Sequence, residues 1–268
     1  MSTRPEILIS IVHHNTPEIL ERCLNALEKE GSSLRMHIVV VDNASQFPPD
    51  AAALSRRPNV TYLRNEINVG FGRANNQAFK VCDADAYLVT NPDVVVAAGS
   101  LDILMRRLLE NPAAGLIGAR LRYPDGRLQS SCRRLPTLRS VLLRGFLAEK
   151  QSSRFELIRR YLMTGETFAA PTRVDWLLGS CLLIKREALR QVGGFDEDFF
   201  MYYEDIDLCY RIAQAGWAVE YHPDVEWVHD YRRQSALPGQ WKLRLAHFRS
   251  ALLFLIKHLT KRGWRAIF

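Results

Sequence analysis

Six carboxylates, Asp196, Glu197, Asp198, Glu204, Asp205 and Asp207, stand within a dozen residues, interleaved with Phe199, Phe200, Tyr202 and Tyr203. Like charges that close repel one another, so the stretch is a poor choice for a merely solvated surface and reads as a site. Helical spacing separates its members. Asp205 falls near a helix start, while Leu208, Cys209 and Ile212 face the core. A carboxylate at a helix N-terminus stays ionised, as a general base for a hydroxyl requires. Thr90-Asn91-Pro92-Asp93 caps an apolar run with a second acidic group. A divalent ion held there, Mg²⁺ or Mn²⁺, could bridge two phosphates; an Asn-Pro turn with an incidental cap is the other reading. Asp42 ends another apolar run, where it could accept the imide N–H of a pyrimidine or simply cap a turn. The segment from Asn68 to Asn76 opens a helix with Gly70, Gly72 and Arg73, so its N–H groups and guanidinium could meet a nucleotide or its phosphates. His229 ends a short apolar run after Trp227 and could complete a metal shell or be structural.

These groups need a scaffold that brings distant residues to one edge. Ile7 to Val12, His37 to Val41, Val60 to Leu63 and Ala86 to Thr90 are continuous apolar runs alternating with helical patterns such as Ile19 to Leu27, Ala74 to Val81 and Leu101 to Leu109. That alternation predicts an α/β fold with a mostly parallel sheet covered on both faces, its ligands at the carboxyl ends of the strands. Trp176 to Lys185 reads as a strand and Asp205 to Ala215 as a helix stopped by Gly216. Before them, about Cys132 to Ala170 mixes basic residues with Leu, Phe and Tyr and reads as a mobile or surface-attached insertion. Trp241, Leu245, Phe248, Leu252, Leu255 and Leu259 line one face of a final helix whose other face is basic. The organisation expected is one domain over 1–232, carrying the insertion at about 132–170, and a basic amphipathic helical region over 233–268.

The 268 residues hold 36 Lys+Arg against 29 Asp+Glu, a net charge of +7, with 47% hydrophobic residues, which excludes disordered and fibrous classes. Much of the positive charge crowds the insertion and the C-terminus, pointing to an anionic partner such as lipid headgroups or phosphates. The five cysteines form no CxxC pair, as expected of reduced thiols in a cytoplasmic protein. No signal-peptide pattern is visible, and no window approaches the roughly 20 apolar residues of a membrane span.

In order along the chain, Ile9-Ser10-Ile11-Val12 through Asn15, Val40 to Ser45, Asn68 to Asn75, Thr90 to Asp93, Gly179 to Arg186 and Gly193 to Arg211 resemble the family 2 glycosyltransferases of GT-A fold, within them the bacterial rhamnosyltransferase-like group. The likeness covers about residues 5 to 232. It implies a nucleotide-diphosphate sugar donor, a divalent cation and transfer with inversion. The roles it carries over are Asp42 on the base, with Asn15 and Asn43 beside it, Arg73 on the nucleotide, Asn91 on the ribose, Asp93 on the metal and diphosphate, and His229 as a further metal or phosphate ligand. Asp205, paired with Glu204, would be the catalytic base. Asp175, Trp176 and Asp207 are candidates for the sugar or acceptor site. The group favours dTDP-L-rhamnose as donor, a UDP-hexose being the alternative, and a polysaccharide or lipid-linked glycan as acceptor, reached from the inner face of the cytoplasmic membrane. Two departures stand out: a single carboxylate in the metal motif, and His13-His14 where such proteins usually carry Thr or Tyr.

Three rivals predict features that the sequence lacks. A dehydrogenase would carry a glycine fingerprint after the first strand, and Ile11 to Asn15 has none. A sugar nucleotidyltransferase would show a Gly-rich basic loop at the same place. A non-catalytic nucleic-acid-binding module would leave the cluster around Glu204-Asp205 without a purpose, so no nucleic acid is expected as a partner.

Overall fold

A computed structural model describes residues 5–146, 155–230 and 241–262. Four parallel strands, buried except for the edge strand β3, form its first half: β1 (Ile7–His13), β2 (Met36–Asn43), β3 (Val60–Asn65) and β4 (Ala86–Thr90). They alternate with α1 (Pro17–Lys29), α2 (Ala51–Ser55) and α3 (Phe71–Phe79). Pro17 starts α1 where a missing N–H costs nothing. After β5 (Val94–Val95) and α4 (Ser100–Glu110) come β6 (Ala114–Arg122), β7 (Cys132–Arg133), α5 (Leu138–Phe146) and α6 (Glu156–Leu162). The chain continues through β8 (Thr172–Arg173), β9 (Trp176–Leu177), β10 (Cys181–Lys185), α7 (Arg186–Val192), α8 (Glu204–Gln214), β11 (Ala218–His229) and α9 (Trp241–Arg262).

The main sheet runs β3-β2-β1-β4-β10-β6-β11-β5, with β8 added on β11. The parallel first half meets the expectation, and the second half is mixed: β10 lies antiparallel between β4 and β6, and β11 is parallel to β6. Two apolar layers cover the faces. Leu20, Leu24, Leu104 and Leu108 pack on one, Ala74, Phe195, Leu208 and Ile212 on the other.

The 176–185 run is two strands rather than one. At Leu178-Gly179-Ser180 the chain turns, so that β9 pairs with β7 in a separate ribbon (Cys132↔Leu177, Arg133↔Trp176). The basic insertion, read as irregular, is regular at its entry and carries two helices; residues 147–154 of it lie outside the described part. Strand β6 was not anticipated, because Gly115 and Gly118 weaken its strand pattern. Both glycines are steric necessities: a Cβ on Gly115 would lie 2.5 Å from the Trp217 Cβ, and one on Gly118 2.5 Å from the Cys181 carbonyl.

The final helix differs from its sequence pattern. It docks on α8 through Ala251, Phe254, Leu255 and His258, while Leu245, Phe248, Leu252 and Ile256, at i, i+3, i+7 and i+11, face solvent. Leu255 thus belongs to the docked face and not to the stripe; the side chains of Trp241 and Leu259 lie outside the described residues, as do residues 233–240 and 263–268.

Candidate active site

The carboxyl ends of the strands gather the predicted groups on one edge. Gly70, at φ +89°, lets α3 begin directly against the acidic-aromatic loop: a Cβ there would sit 2.3 Å from the Phe200 carbonyl, which accepts the Phe71 N–H at 3.2 Å. Asn76 holds the same loop, its Oδ1 accepting the Phe195 N–H at 2.9 Å and its Nδ2 donating to the Phe195 carbonyl at 2.9 Å. The loop ends in Tyr202 and Tyr203, both at φ +67°. Such conformations cost about 1–3 kcal/mol each and persist where packing enforces them; here Tyr203 is held against Phe254 of α9, with ring centroids 5.8 Å apart.

Glu204, Asp205 and Asp207 follow in the first turn of α8, and the structure separates them. Asp207 is fully buried, its Oδ2 accepting from Arg211 at 2.7 Å and its Oδ1 2.7 Å from His258 Nε2. It anchors α9 to α8 and is closed to an acceptor, contrary to its placement in the sugar site. Glu204 is buried too, and burial, followed by the charge of Asp205, pushes its pKa up to about 8. Its carboxyl is thereby biased toward the neutral form. Asp205 remains partly open to solvent, with its Oδ2 on the Gly179 N–H at 3.1 Å and its Oδ1 on the Ile206 N–H at 2.9 Å. Burial raises its pKa against those N–H groups and the nearby charge of Arg133. A carboxylate shifted upward and still reachable is a stronger proton acceptor than an ordinary surface aspartate.

Asp93 and His229 meet. Strands β5 and β11 pair at Val94↔His229, and His229 Nε2 lies 3.3 Å from Asp93 Oδ1. That oxygen is buried and has no hydrogen-bond donor among the described residues. A carboxylate oxygen beside an imidazole nitrogen fits Mg²⁺ or Mn²⁺, which take one or two protein groups and complete their shell on substrate phosphates. No group of three or more His, Cys, Asp or Glu residues disposed for a metal occurs among the described residues, so such an ion needs the ligand's oxygens. The Asp93 loop and Asp205 lean on adjacent residues: Asn91 Nδ2 donates to Ser180 Oγ at 3.3 Å, one residue beyond the Gly179 N–H that holds Asp205.

The other predicted contact residues are engaged within the chain. Asp42 is fully buried, its Oδ1 accepting the Ser45 N–H at 2.9 Å and its Oδ2 the Tyr62 hydroxyl at 2.9 Å. Burial opposes its ionisation, but the Ser45 and Tyr62 hydrogen bonds outweigh it and hold the carboxyl below the usual range. It caps the turn after β2. Asn43 is a hub, donating to Asn68 Oδ1 at 2.8 Å and accepting from the Val69 N–H at 3.0 Å and Asn65 Nδ2 at 3.2 Å; its amide is not available to a nucleotide. Asn15 Oδ1 accepts the N–H groups of Gln46 and Phe47 at 2.7 and 3.1 Å, shaping the loop after β2. Arg73 points to the rim and pairs with Glu197 at 2.9 Å, so its contact with a nucleotide requires breaking that pair. Trp176 is buried with its Nε1–H on the Arg134 carbonyl at 2.7 Å, and half-buried Asp175 accepts the Leu135 N–H on Oδ2 at 2.7 Å; both fasten the insertion.

Arg133 was missed as a site residue. In sequence it is one of many basic residues of the insertion; the β7–β9 pairing brings its charge close to Asp205 and its guanidinium over Trp176, 4.9 Å from the ring. His14, half of the unassigned pair, is exposed, with Nδ1 3.0 Å from the Asn43 carbonyl and Nε2 3.2 Å from Asn15 Nδ2, while His13 is buried in register with Asp42.

Comparison with known proteins shows the family and the fold. The profile of Glycosyl transferase family 2 matches residues 8–193, and that of Glycosyl transferase family group 2 matches residues 142–266. The N-acetylglucosaminyl-diphospho-decaprenol L-rhamnosyltransferase of Mycobacterium tuberculosis (strain H37Rv) is 34% identical over 258 residues, covering 91% of this chain and 81% of that one. The rhamnosyltransferase WbbL of Escherichia coli (strain K12) is 26% identical, covering 89% and 90%. Among solved structures, a mannosyltransferase of Pyrobaculum calidifontis in complex with GDP-Man and Mn²⁺ superposes with a TM-score of 0.59 at 20% identity, covering 94% of this chain and 65% of that one. GalNAc-T7 with UDP, GalNAc and Mn²⁺ gives 0.65 at 17%, covering 88% and 45%. These two share the GT-A fold with this chain.

Proposed function

The chain belongs to glycosyl transferase family 2, and on that premise we propose that it transfers L-rhamnose from dTDP-L-rhamnose, with inversion, to a hydroxyl of a lipid-linked glycan. The observation that carries the chemistry is Asp205: a reachable carboxylate of raised pKa, on the same edge as the Asp93–His229 pair. Asp205 takes the proton of the acceptor hydroxyl as that oxygen bonds to the anomeric carbon, while the bond from that carbon to the nucleotide diphosphate breaks on the opposite side. Asp93 Oδ1 and His229 Nε2 would hold Mg²⁺ or Mn²⁺. Such an ion, when bound, neutralises charge on the departing diphosphate. Arg133 adds a fixed positive charge near the reacting groups, and the bias of Glu204 toward its neutral form lessens repulsion at Asp205.

The rhamnose donor and the lipid-linked acceptor rest on the two rhamnosyltransferase relatives. No helix among the described residues is long and apolar enough to cross a membrane. The solvent-facing stripe of Leu245, Phe248, Leu252 and Ile256, with Arg249 beside it, supports peripheral attachment of the 233–268 region to the inner leaflet, the catalytic domain reaching to about residue 232. Incubation with Mn²⁺, a polyprenyl-diphosphate-linked N-acetylglucosamine and either dTDP-L-rhamnose or a panel of UDP-hexoses tests the reading. Transfer from dTDP-L-rhamnose is expected; transfer from a UDP-hexose alone would remove rhamnose and leave the enzyme class intact.

A further inference from the structure

One side chain grips His229 at two points. Gln129, 7% exposed on the segment leading from β6 to β7, donates its Nε2–H to the His229 backbone carbonyl at 2.8 Å, and its Oε1 lies 2.8 Å from His229 Nδ1. The first bond settles the orientation of the amide, because a carbonyl only accepts and must meet the NH₂ end. The Oε1 end therefore faces the ring. An amide oxygen also only accepts, so Nδ1 carries a proton, and in the neutral imidazole Nε2 then presents a lone pair. Nε2 is the atom 3.3 Å from Asp93 Oδ1, so two electron-pair donors converge on one point. Neutral imidazole in water prefers the opposite tautomer, with its proton on Nε2, which would offer Asp93 a hydrogen bond and close the pair to a cation.

We propose that Gln129 is a positioning residue that fixes His229 in the Nδ1–H tautomer and thereby makes the Asp93–His229 pair a cation ligand set; this rests on the reading of that pair as the metal site. Gln129 is itself held in place, its N–H on the Leu121 carbonyl at 2.9 Å and its carbonyl accepting the Ser131 N–H at 2.8 Å. Two residues beyond Ser131 stands Arg133, so the stretch after β6 sets both the partner of the metal-side histidine and the cation near the base. Groups that orient a metal-bound histidine commonly account for about 10–100-fold in metal affinity.

Long-range ¹H–¹⁵N spectra of ¹⁵N-histidine-labelled protein, with the His229 signals identified by their loss in His229→Asn, read the tautomer without any turnover. The unaltered protein is expected to show Nδ1–H at His229. Gln129→Leu should shift it to Nε2–H and weaken Mn²⁺ binding in the presence of dTDP about 10–100-fold, with metal-free dTDP affinity unchanged. Gln129→Glu, which keeps an acceptor at Nδ1, should retain the tautomer; it and the unaltered spectrum decide the matter if Gln129→Leu does not fold. Nε2–H in the unaltered protein, or Mn²⁺ affinity kept within about twofold in Gln129→Leu, would overturn the proposal. Failure of the unaltered protein to bind Mn²⁺ with dTDP would instead remove the metal reading itself, and the proposal with it.

Discussion

Asp205 is the carboxylate of its helix turn that solvent reaches, whereas Glu204 is buried and biased toward its neutral form and Asp207 is closed by Arg211 and His258. Asp205→Asn should therefore cut turnover by about 10²–10⁴-fold with nucleotide affinity unchanged, as measured by initial rates and calorimetry. Glu204→Gln, which mimics the protonated acid, should stay within a few-fold of the unaltered enzyme; an equally severe loss in both would mean that the pair acts as a unit. Because burial raises Asp205, the acid limb of the rate profile should fall above the ordinary carboxylate value of about 4, and turnover should drop as pH decreases through it. Asp42 has the opposite sign. Its folded-state pKa is depressed, so its contribution to stability is present above about pH 4 and is lost as pH falls through the lower folded value, a loss that Asp42→Asn should remove from acid-unfolding curves. At this scale the sequence told donors from acceptors but not their partners. Asp93, Asp205 and His229 could be read because they stand at element ends; Asp42 and Asn43 stand at one too, but Ser45, Tyr62 and Asn68 engage them first. Arg133 was hidden because only the β7–β9 ribbon distinguishes it from the other basic residues of the insertion.

The elements that bring these residues together depend on a few close approaches. Gly70→Ala would drive a Cβ into the Phe200 carbonyl in a backbone conformation that alanine resists. A loss of about 1–3 kcal/mol in denaturant unfolding is expected, with transfer impaired because the loop before Glu204 is displaced. The alternating helices and strands of the first half were legible because each buried strand is a continuous apolar run. Strand β6 was not, since its glycines, which read as breakers, make room for Trp217 and the Cys181 carbonyl. The last helix carries apolar residues on two faces, and hydropathy alone does not say which one docks. His258→Ala would leave buried Asp207 bonded to Arg211 but no longer to α9 and should lower stability by about 1–3 kcal/mol in a thermal melt. Leu252→Asp, on the exposed stripe, should leave the melt unchanged yet reduce sedimentation with anionic vesicles; unchanged vesicle binding would remove that face from the membrane contact.

Taken whole, the molecule is one mixed sheet whose strand ends collect a proton acceptor, a cation ligand pair and a basic side chain from segments more than 100 residues apart in sequence, Asp93 and Asp205 among them. The glycosyltransferase family was legible from the order of its motifs, and the profile matches and relatives agree with it. The sugar was legible only through the likeness to the rhamnosyltransferase group, with which two relatives agree, because the residues that tell one hexose from another are few and scattered. Thermal-shift titration with dTDP, UDP and GDP, each with and without Mn²⁺, on the unaltered protein, Asp93→Asn and Asp205→Asn, tests the division of labour most directly, since a ligand of the folded form raises its stability by mass action. The account predicts Mn²⁺-dependent stabilisation by dTDP or UDP that Asp93→Asn loses and Asp205→Asn keeps. Stabilisation that needs no cation, or that disappears in Asp205→Asn while persisting in Asp93→Asn, would contradict it.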